Sequence, residues 1–597
     1  MESRSWYLVG HRGVGKTSLA KRLLEYFPDV LVVDLDAEIE QSENQSVTEI
    51  FSQYGEDYFR NLEIKNLKRL QAVAKANQQW TVFVLGAGFR IAELQSQDQV
   101  LWLRRASDLN PRIFLDRPRL NPAVAPQTEF KLRFDDRQTQ FKKVTKRIYE
   151  MPEGSPNSHI EKKLLAAFLF QKLLKVDSIL TITSELDLSN LSLVPNAWEL
   201  RDDLLSSAEI NVTQKKIVPV QSLLSIRSDE NGCQELELAK FDAVDWDAKI
   251  WRKSANQKKR CAQIFSSHAD SIELAFEELD MAPTGAHLKL CPSVQSWADL
   301  RRGWRWQQTD PKHRSFLPRS ADGRWQWFRL WMQGFQKMGF SSLGASDVAD
   351  QPSLYWSLAQ SQTARRSFGA VLGSPIMHSQ SPTTHWPKEI SSDTEPFYAI
   401  EVRLEEWDLA ISFLTELGMR RAAVTSPLKI KAHHWCERMG AKFLNATYGG
   451  VNTISWSSVN SQNVVLAANT DYPALAKWFS ELSLSDTETT VWGGGGLLAG
   501  IRQLLPSAQF VGHRTNSKTK AKNLVWAAGQ SAGSLDFARG QVERVIDLSY
   551  SESSRGREVA MQTGATYVSG QRFFDLQAAE QKKIWWPSGF DCERPEA

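Results

Sequence analysis

The stretch Val9–Ser18, VGHRGVGKTS, decides how the chain begins. It fits G-x-x-x-x-G-K-[ST] from Gly10 to Thr17, follows the apolar run SWYLVG and opens the amphipathic run SLAKRLLEYF. Strand, glycine-rich turn and helix start, in that order, make a phosphate-binding loop. The backbone N–H groups of Gly13, Val14, Gly15 and Lys16 are expected to cradle phosphates. Lys16 reaches the terminal oxygens, Thr17 binds Mg²⁺ through its hydroxyl, and Ser18 completes the ATP-binding set. A second glycine cluster, VWGGGGLLAG at Val491–Gly500, places Gly493, Gly494, Gly495 and Gly496 after another apolar run. Such a turn lets a dinucleotide pyrophosphate approach the backbone. One polypeptide thus carries a nucleoside triphosphate loop and a dinucleotide loop.

The bulk numbers fit several ordinary globular domains. A length of 597 residues points to three or four domains, and 42% hydrophobic with 24% charged residues suits packed cores. A net charge of +3 is too small for a nucleic-acid or anionic-membrane footprint. The five cysteines are scattered with no CxxC pair, so neither a disulfide framework nor a zinc site is implied. No apolar run is long enough to span a bilayer, and the N-terminus has no signal-peptide block. A cytoplasmic location is expected.

Three α/β blocks follow from the pattern of short apolar strands and amphipathic helices. Residues 1–174 read as a parallel phosphate-loop domain whose last helix is IEKKLLAAFLFQKLLKV. Residues 175–364 hold eight strand-like runs, SILTI, AWEL, IVPVQSLLSI, AVDW, CAQIFSS, AHLKLC, SFLPR and GFSSLG, which suggest a (β/α)8 barrel with stunted helices after the third and fourth strands. Residues 365–597 read as two lobes with a cleft: a substrate lobe to about 470, a Rossmann-like nucleotide lobe to about 570, and a C-terminal return.

After the first loop come VVDLDAEIE and SVTEIFSQYGEDYFRNLE. This resembles shikimate kinase over most of residues 5–174. The resemblance implies that Asp34 lies near Mg²⁺ with Thr17, that the catalytic residues are Lys16 and Asp36, and that Asp36 holds the shikimate hydroxyls. It also implies that Arg60 and Arg137 clamp the substrate carboxylate and that Arg117 in DRPRL meets ATP. The family's triple glycine beside the substrate reads Gly86-Ala87-Gly88 here.

In the last block, GSPIMHSQSP, VTSPLK, GGVNTI and NTD precede the glycine loop. Their order resembles shikimate dehydrogenase across nearly all of residues 368–597. The resemblance implies that Ser379, Ser381, Thr425, Asn452 and Gln577 bind substrate, and that Lys429 and Asp471 form the catalytic pair. Arg514, Thr515 and Lys518, where an NAD site usually carries an acid, favour a 2′-phosphate and hence NADP(H). Tyr550 joins this cofactor set. The asparagine of the family's N-V-T is Ala423 and that of its N-R-T is His513.

The middle block places Glu199 and Arg201 in AWELRDDL, Arg227 in LLSIRSD, His268 in IFSSHAD, Lys289 in AHLKLC, Arg329 in WFRLW and Gln351 in DQPS. Charged residues at successive strand ends are where barrel sites assemble. The order resembles type I 3-dehydroquinate dehydratase. That implies a Schiff base on Lys289 with no added cofactor, His268 as general base, and a substrate grip from Glu199, Arg201, Arg227, Arg329 and Gln351. The family's S-R serine is Phe328, and a family glutamate after the third strand falls on Asn231.

The three blocks, in this order, resemble the C-terminal part of the pentafunctional AROM polypeptides. The implied small molecules are 3-dehydroquinate, 3-dehydroshikimate and shikimate, with no nucleic-acid or membrane partner. Two other readings stay open: a kinase and dehydrogenase joined by an inactive barrel, and a quinate- or shikimate-sensing regulator without catalysis.

Overall fold

The computed structural model describes residues 5–94, 99–105, 126–145, 147–151, 158–170, 172–182, 193–216, 221–228, 236–253, 263–342, 348–360, 367–376, 379–385, 395–448, 450–459, 462–494, 496–512, 522–528, 542–550 and 554–586. The chain divides into two compact units, one within residues 1–364 and the other within 365–597 apart from a short segment.

The first unit opens with strands β1 (Ser5–Val9), β2 (Leu31–Asp34), β3 (Thr81–Val84), β4 (Gln99–Arg105) and β5 (Ile148–Met151), all parallel in the order β2-β3-β1-β4-β5. β1 and β3 are almost wholly buried, which is why they read as unbroken apolar runs. Tyr7, Phe83, Trp102 and Phe141 anchor the core on the side of helix Val47–Asn77. Its helix Ser158–Phe170 stops sooner than the apolar periodicity suggests. Leu173 is 78% exposed, and Leu174 already starts the next strand, whose first residues alternate between exposed and buried before a wholly buried run from Ser178.

Eight parallel strands then follow in chain order: β6 (Leu174–Ile182), β7 (Leu193–Arg201), β8 (Ser222–Ile226), β9 (Ala243–Asp247), β10 (Ile264–Ser267), β11 (His287–Leu290), β12 (Arg314–Phe316) and β13 (Phe340–Ser342). The eighth, β13, returns to pair with the first, β6. On its side away from β11, β12 meets a side chain. Phe316 N donates to Gln336 Oε1 at 2.9 Å, and Gln336 Nε2 donates to Met338 O at 2.9 Å, just before β13. The buried amide thus satisfies strand edges that would otherwise lie bare.

The second unit has a mixed six-stranded sheet of β14 (Phe368–Gly373), β15 (Phe397–Glu401), β16 (Met419–Val424), β17 (Lys442–Phe443), β18 (Thr453–Val459) and β19 (Gln462–Ala468), ordered β15-β14-β16-β18-β19-β17. β18 is antiparallel to both β16 and β19. A parallel five-stranded sheet follows, of β20 (Thr489–Gly493), β21 (Gln509–Val511), β22 (Asn523–Ala527), β23 (Arg544–Asp547) and β24 (Thr566–Val568), ordered β21-β20-β22-β23-β24. Helix Gln571–Trp585 packs on helix Asp471–Glu481 and, in the other lobe, on helix Ser381–His385 and β18. Trp585 Nε1 donates to Ile454 O at 3.0 Å, and Gln581 meets His385 at 3.0 Å.

Replacing Gln336 by leucine leaves the buried Phe316 amide without an acceptor. A loss of about 1–3 kcal/mol is expected, read as a lower urea midpoint together with faster hydrogen exchange at that amide.

Candidate active sites

Three clusters gather at the carboxyl ends of parallel strands. In the first, Gly10, Gly13 and Gly15 have φ of 156°, 75° and 97°. Gly15 is the N-cap of helix Lys16–Tyr26, so the loop turns directly into that helix. Lys16 Nζ donates to the carbonyls of Gly10 at 2.8 Å and His11 at 3.1 Å, folding the amine back over the loop. Thr17 Oγ1 donates to Asp34 Oδ2 at 3.0 Å, while Asp34 Oδ1 caps helix Leu35–Glu43 through Asp36 N. A hydroxyl and a carboxylate oxygen therefore converge beside the glycine loop, as an Mg²⁺ site requires.

The other half of this cluster is a charged cradle. Arg60 is buried and donates to Glu63 at 2.8 Å and Glu56 at 3.0 Å. A Cβ at Gly86 would meet Glu63 Oε1 at 2.7 Å and Asp36 Oδ1 at 3.1 Å, so Gly86 lets two carboxylates face its backbone. A Cβ at Gly88 would strike the Arg60 guanidinium and lie 3.2 Å from Arg137 Nη2. Ala87, between them, is half-buried. Burial lowers Arg137 to about 10, with Arg133 and Arg60 adding like charge. Burial raises Asp36, reinforced by Asp34, and one oxygen each of Asp36 and Glu63 is buried without a partner. Two guanidinium groups and two under-satisfied carboxyls around open backbone suit a small anion bearing hydroxyls. Arg117 lies outside the described residues.

In the eight-stranded sheet, Lys289 and Arg227 share one buried carboxylate. Lys289 Nζ lies 2.6 Å, and Arg227 Nη2 2.5 Å, from Asp245 Oδ2. Burial alone would raise Asp245, but Arg227 and Lys289 hold it well below the usual carboxylate range. His268 Nδ1 is 2.7 Å from Asp247 Oδ2. Burial, with Arg227 and Lys289 nearby, pushes its pKa well below the ordinary histidine value, leaving a neutral imidazole. Glu199 accepts from Thr181 at 2.6 Å and Ser225 at 2.7 Å, and Gln351 donates to Thr181 at 2.9 Å. Arg201 is forked on Asp203, and Arg329 donates to the carbonyls of Pro318 and Leu317. Arg319 donates to the backbone carbonyls of His268 at 2.7 Å and Cys291 at 2.7 Å.

In the second unit, Lys429 Nζ is 2.6 Å from Asp471 Oδ2, and Gln577 Nε2 donates to Asp471 Oδ1 at 2.6 Å. Asp471 is itself fixed by Asn469 Oδ1, which accepts from its N–H at 2.9 Å. Asn452 is fully buried, accepts from Thr470 N at 2.8 Å, and keeps its Nδ2 unpartnered. Thr425 follows β16 and lies against Gly373 at the end of β14, where a side chain would collide with it. Ser379 Oγ accepts from Ser381 N at 3.2 Å. Tyr550, expected on the cofactor, hydrogen-bonds the Ser379 side chain and the Gln380 backbone. It leans on Phe574 at 4.8 Å, so its hydroxyl faces the serine loop.

The glycine loop leaves β20 at Gly493, whose φ is 135° and where a Cβ would lie 2.5 Å from Ala527 O of β22. Only glycine fits so near a neighbouring strand end. Gly494 follows it directly, and a Cβ at Gly496 would meet open space. Gly495, Arg514, Thr515 and Lys518 lie outside the described residues.

The cradle beside the first loop has a counterpart in sequence. Residues 12–167 match the shikimate kinase family model. A shikimate kinase of Zymomonas mobilis is 45% identical over 69 residues, 12% of this chain and 39% of the relative. One from a Sulfurihydrogenibium species is 34% identical over 116 residues, 19% of this chain and 64% of the relative. The chain thus spans less than two thirds of either relative. Among solved structures, the dehydroquinate dehydratase and shikimate dehydrogenase part of S. pombe AroM aligns with 69% of this chain and 96% of its own, at 16% identity and a TM-score of 0.28. Shikimate 5-dehydrogenase of Thermus thermophilus aligns with 37% of this chain and 94% of its own, at 20% identity and a TM-score of 0.30.

Several residues of the clusters escaped the sequence reading. Glu63 stood in the shikimate kinase motif without a role, Asp245 lay inside the run AVDW, and Asp247 followed it directly. Alternation along that strand could have flagged them: two acids two apart point to one face, and a buried face needs cations.

Burial raises Glu63 to about 7. In the unfolded chain it ionises near 4.5, so the native state holds the extra proton between those values. The stability this group contributes is full below pH 4.5 and is lost as pH rises through 7. Glu63→Gln is expected to flatten that fall, measured as the thermal midpoint of the phosphate-loop domain from pH 5 to 8.

Proposed function

We propose that the chain is a multifunctional shikimate-pathway enzyme with three domains, 1–174, 175–364 and 365–597. The first phosphorylates shikimate, the second dehydrates 3-dehydroquinate, and the third reduces 3-dehydroshikimate to shikimate. The observation that carries the reading is the cradle of Asp36, Glu63, Arg60 and Arg137 next to the phosphate loop.

Bound MgATP supplies the phosphoryl group and bound NADPH the hydride. In the kinase domain the Gly13–Lys16 amides and Lys16 hold the phosphates, and Thr17 and Asp34 hold the metal. Arg60 and Arg137 clamp the substrate carboxylate. Asp36 orients the attacking hydroxyl and takes its proton, a task suited to a carboxyl raised by burial.

In the third domain Lys429 donates to the substrate oxygen as it becomes an alkoxide. Asp471 aims the lysine and Gln577 aims Asp471, while Ser379, Ser381, Thr425 and Asn452 bind the carboxylate and hydroxyls. Asn452 Nδ2 is a buried donor that such a ligand would satisfy. Gly493–Gly496 receive the pyrophosphate, and Arg514, Thr515 and Lys518 the 2′-phosphate.

The middle sheet is read as a (β/α)8 barrel, supported by its chain-order strands, the β13–β6 pairing and the Gln336 bridge from β12. Lys289 adds to the substrate ketone and water leaves to give an imine. His268, neutral and aimed by Asp247, removes a proton from the adjacent carbon. The hydroxyl on the next carbon departs as water, and hydrolysis of the imine releases product and restores the amine. The ion pair of Lys289 with Asp245 favours a second reading, an inactive middle domain, because a protonated amine is no nucleophile.

Purified protein given 3-dehydroquinate, NADPH and MgATP is expected to oxidise NADPH and form ADP, each dependent on the step before. Absence of ADP with shikimate and MgATP alone would overturn the reading. Lys429→Ala is expected to slow NADPH oxidation with 3-dehydroshikimate by about 10²–10⁴-fold while ADP formation from shikimate is unchanged. Borohydride with 3-dehydroquinate should leave Lys289 as a secondary amine carrying the ligand skeleton, its mass raised by that of the bound ligand less one water and plus two hydrogens; no adduct there assigns the middle domain to the inactive reading.

A further inference from the structure

Two tyrosines with no part in the chemistry above pair with each other beside Asp471, one touching the helix that leaves the glycine loop and the other in the loop that touches Lys429. The rings of Tyr448 and Tyr472 have centroids 4.9 Å apart, tilted by 40°, and their side chains hydrogen-bond each other. Tyr472 follows Asp471 in the first turn of helix Asp471–Glu481. Its ring lies against the helix that leaves the glycine loop, since a Cβ at Gly500 would be 3.5 Å from Tyr472 Cδ2. Tyr448 precedes Gly450, where a Cβ would lie 3.4 Å from Lys429 Cβ, so its loop wraps the lysine. The pair therefore reaches from the lysine–aspartate pair to the helix of the glycine loop.

Tyr448 also holds a left-handed backbone, φ 47°, which bulky residues rarely adopt. Strain of this kind persists where the surroundings or a function demand it. The ring it presents does not fill the core, being 36% exposed, and Tyr472 is half-buried. A dinucleotide with its pyrophosphate on Gly493–Gly496 must bring its reactive carbon within about 3–3.5 Å of the carbon served by Lys429. Its nicotinamide ring would then reach from the glycine loop toward Lys429, and the two tyrosines sit against the helix of the one and in the loop touching the other.

We infer that Tyr448 and Tyr472 form the wall against which the nicotinamide ring packs, and that they set affinity for that end of the cofactor. The inference rests on the dehydrogenase reading above. Aromatic faces at this separation favour an offset or edge contact with a flat heterocycle.

The test is binding to the full chain. NADPH is titrated by its own fluorescence, and 2′-phosphoadenosine diphosphoribose, which lacks nicotinamide, by displacing it. Tyr472→Ala is expected to weaken NADPH about tenfold and leave the fragment within about twofold. Tyr448→Gly, which relieves the backbone while removing the ring, is expected to do the same without lowering the thermal midpoint. Equal weakening of both ligands, or of neither, overturns the wall. Wild-type protein that binds no NADPH overturns the dehydrogenase reading and the wall together.

Discussion

Parallel strands covered on both faces can carry a charge only where a partner answers it or where the strand opens at its end. That constraint organises this chain. Asp34 closes β2, Gly86 follows β3, Arg227 follows β8, His268 follows β10, and Thr425 follows β16. β3 is buried through its length and β2 is apolar until Asp34, and in each sheet polar groups collect toward the carboxyl ends. Three unrelated strand orders thereby deliver chemistry to the same edge of their sheets.

The charges gathered there are buried, so each must be answered. Asp245 is fully enclosed and remains ionised because two cations touch it; Asp471 is answered by Lys429 and Gln577. Removing one member of such a pair leaves an uncompensated charge, at about 3–5 kcal/mol. The same residues thus carry the stability of the strand ends and the reactivity of the sites. Glu63 is the exception that shows the rule: enclosed beside Arg60 yet with one oxygen unpartnered, it is driven toward its neutral form.

In the second unit the two sheets are tied by helix Gln571–Trp585, which follows the five-stranded sheet and packs on the six-stranded one. It delivers Gln577 to Asp471 while Gln581 and Trp585 hold the far lobe. Tyr550 makes a second crossing, from just past β23 to the serine loop. Residues more than a hundred positions apart thus meet at one carboxylate.

The sequence by itself determined the local devices. Glycines at Gly10, Gly13, Gly15 and Gly493 are needed where the backbone turns left-handed or meets another strand, and that need is readable from spacing alone. Lys429 with Asp471, and Arg60 with Arg137, were legible because each falls in an ordered set of short motifs that resembles a known family. Only the tertiary structure decided how charges are shared. That Lys289 and Arg227 meet on Asp245, that His268 meets Asp247, and that Arg329 spends its guanidinium on backbone carbonyls depends on strand register and helix packing. Ion pairs between distant segments leave no periodic trace in the chain; they arise because burial forces each charge onto whichever opposite charge the fold brings near.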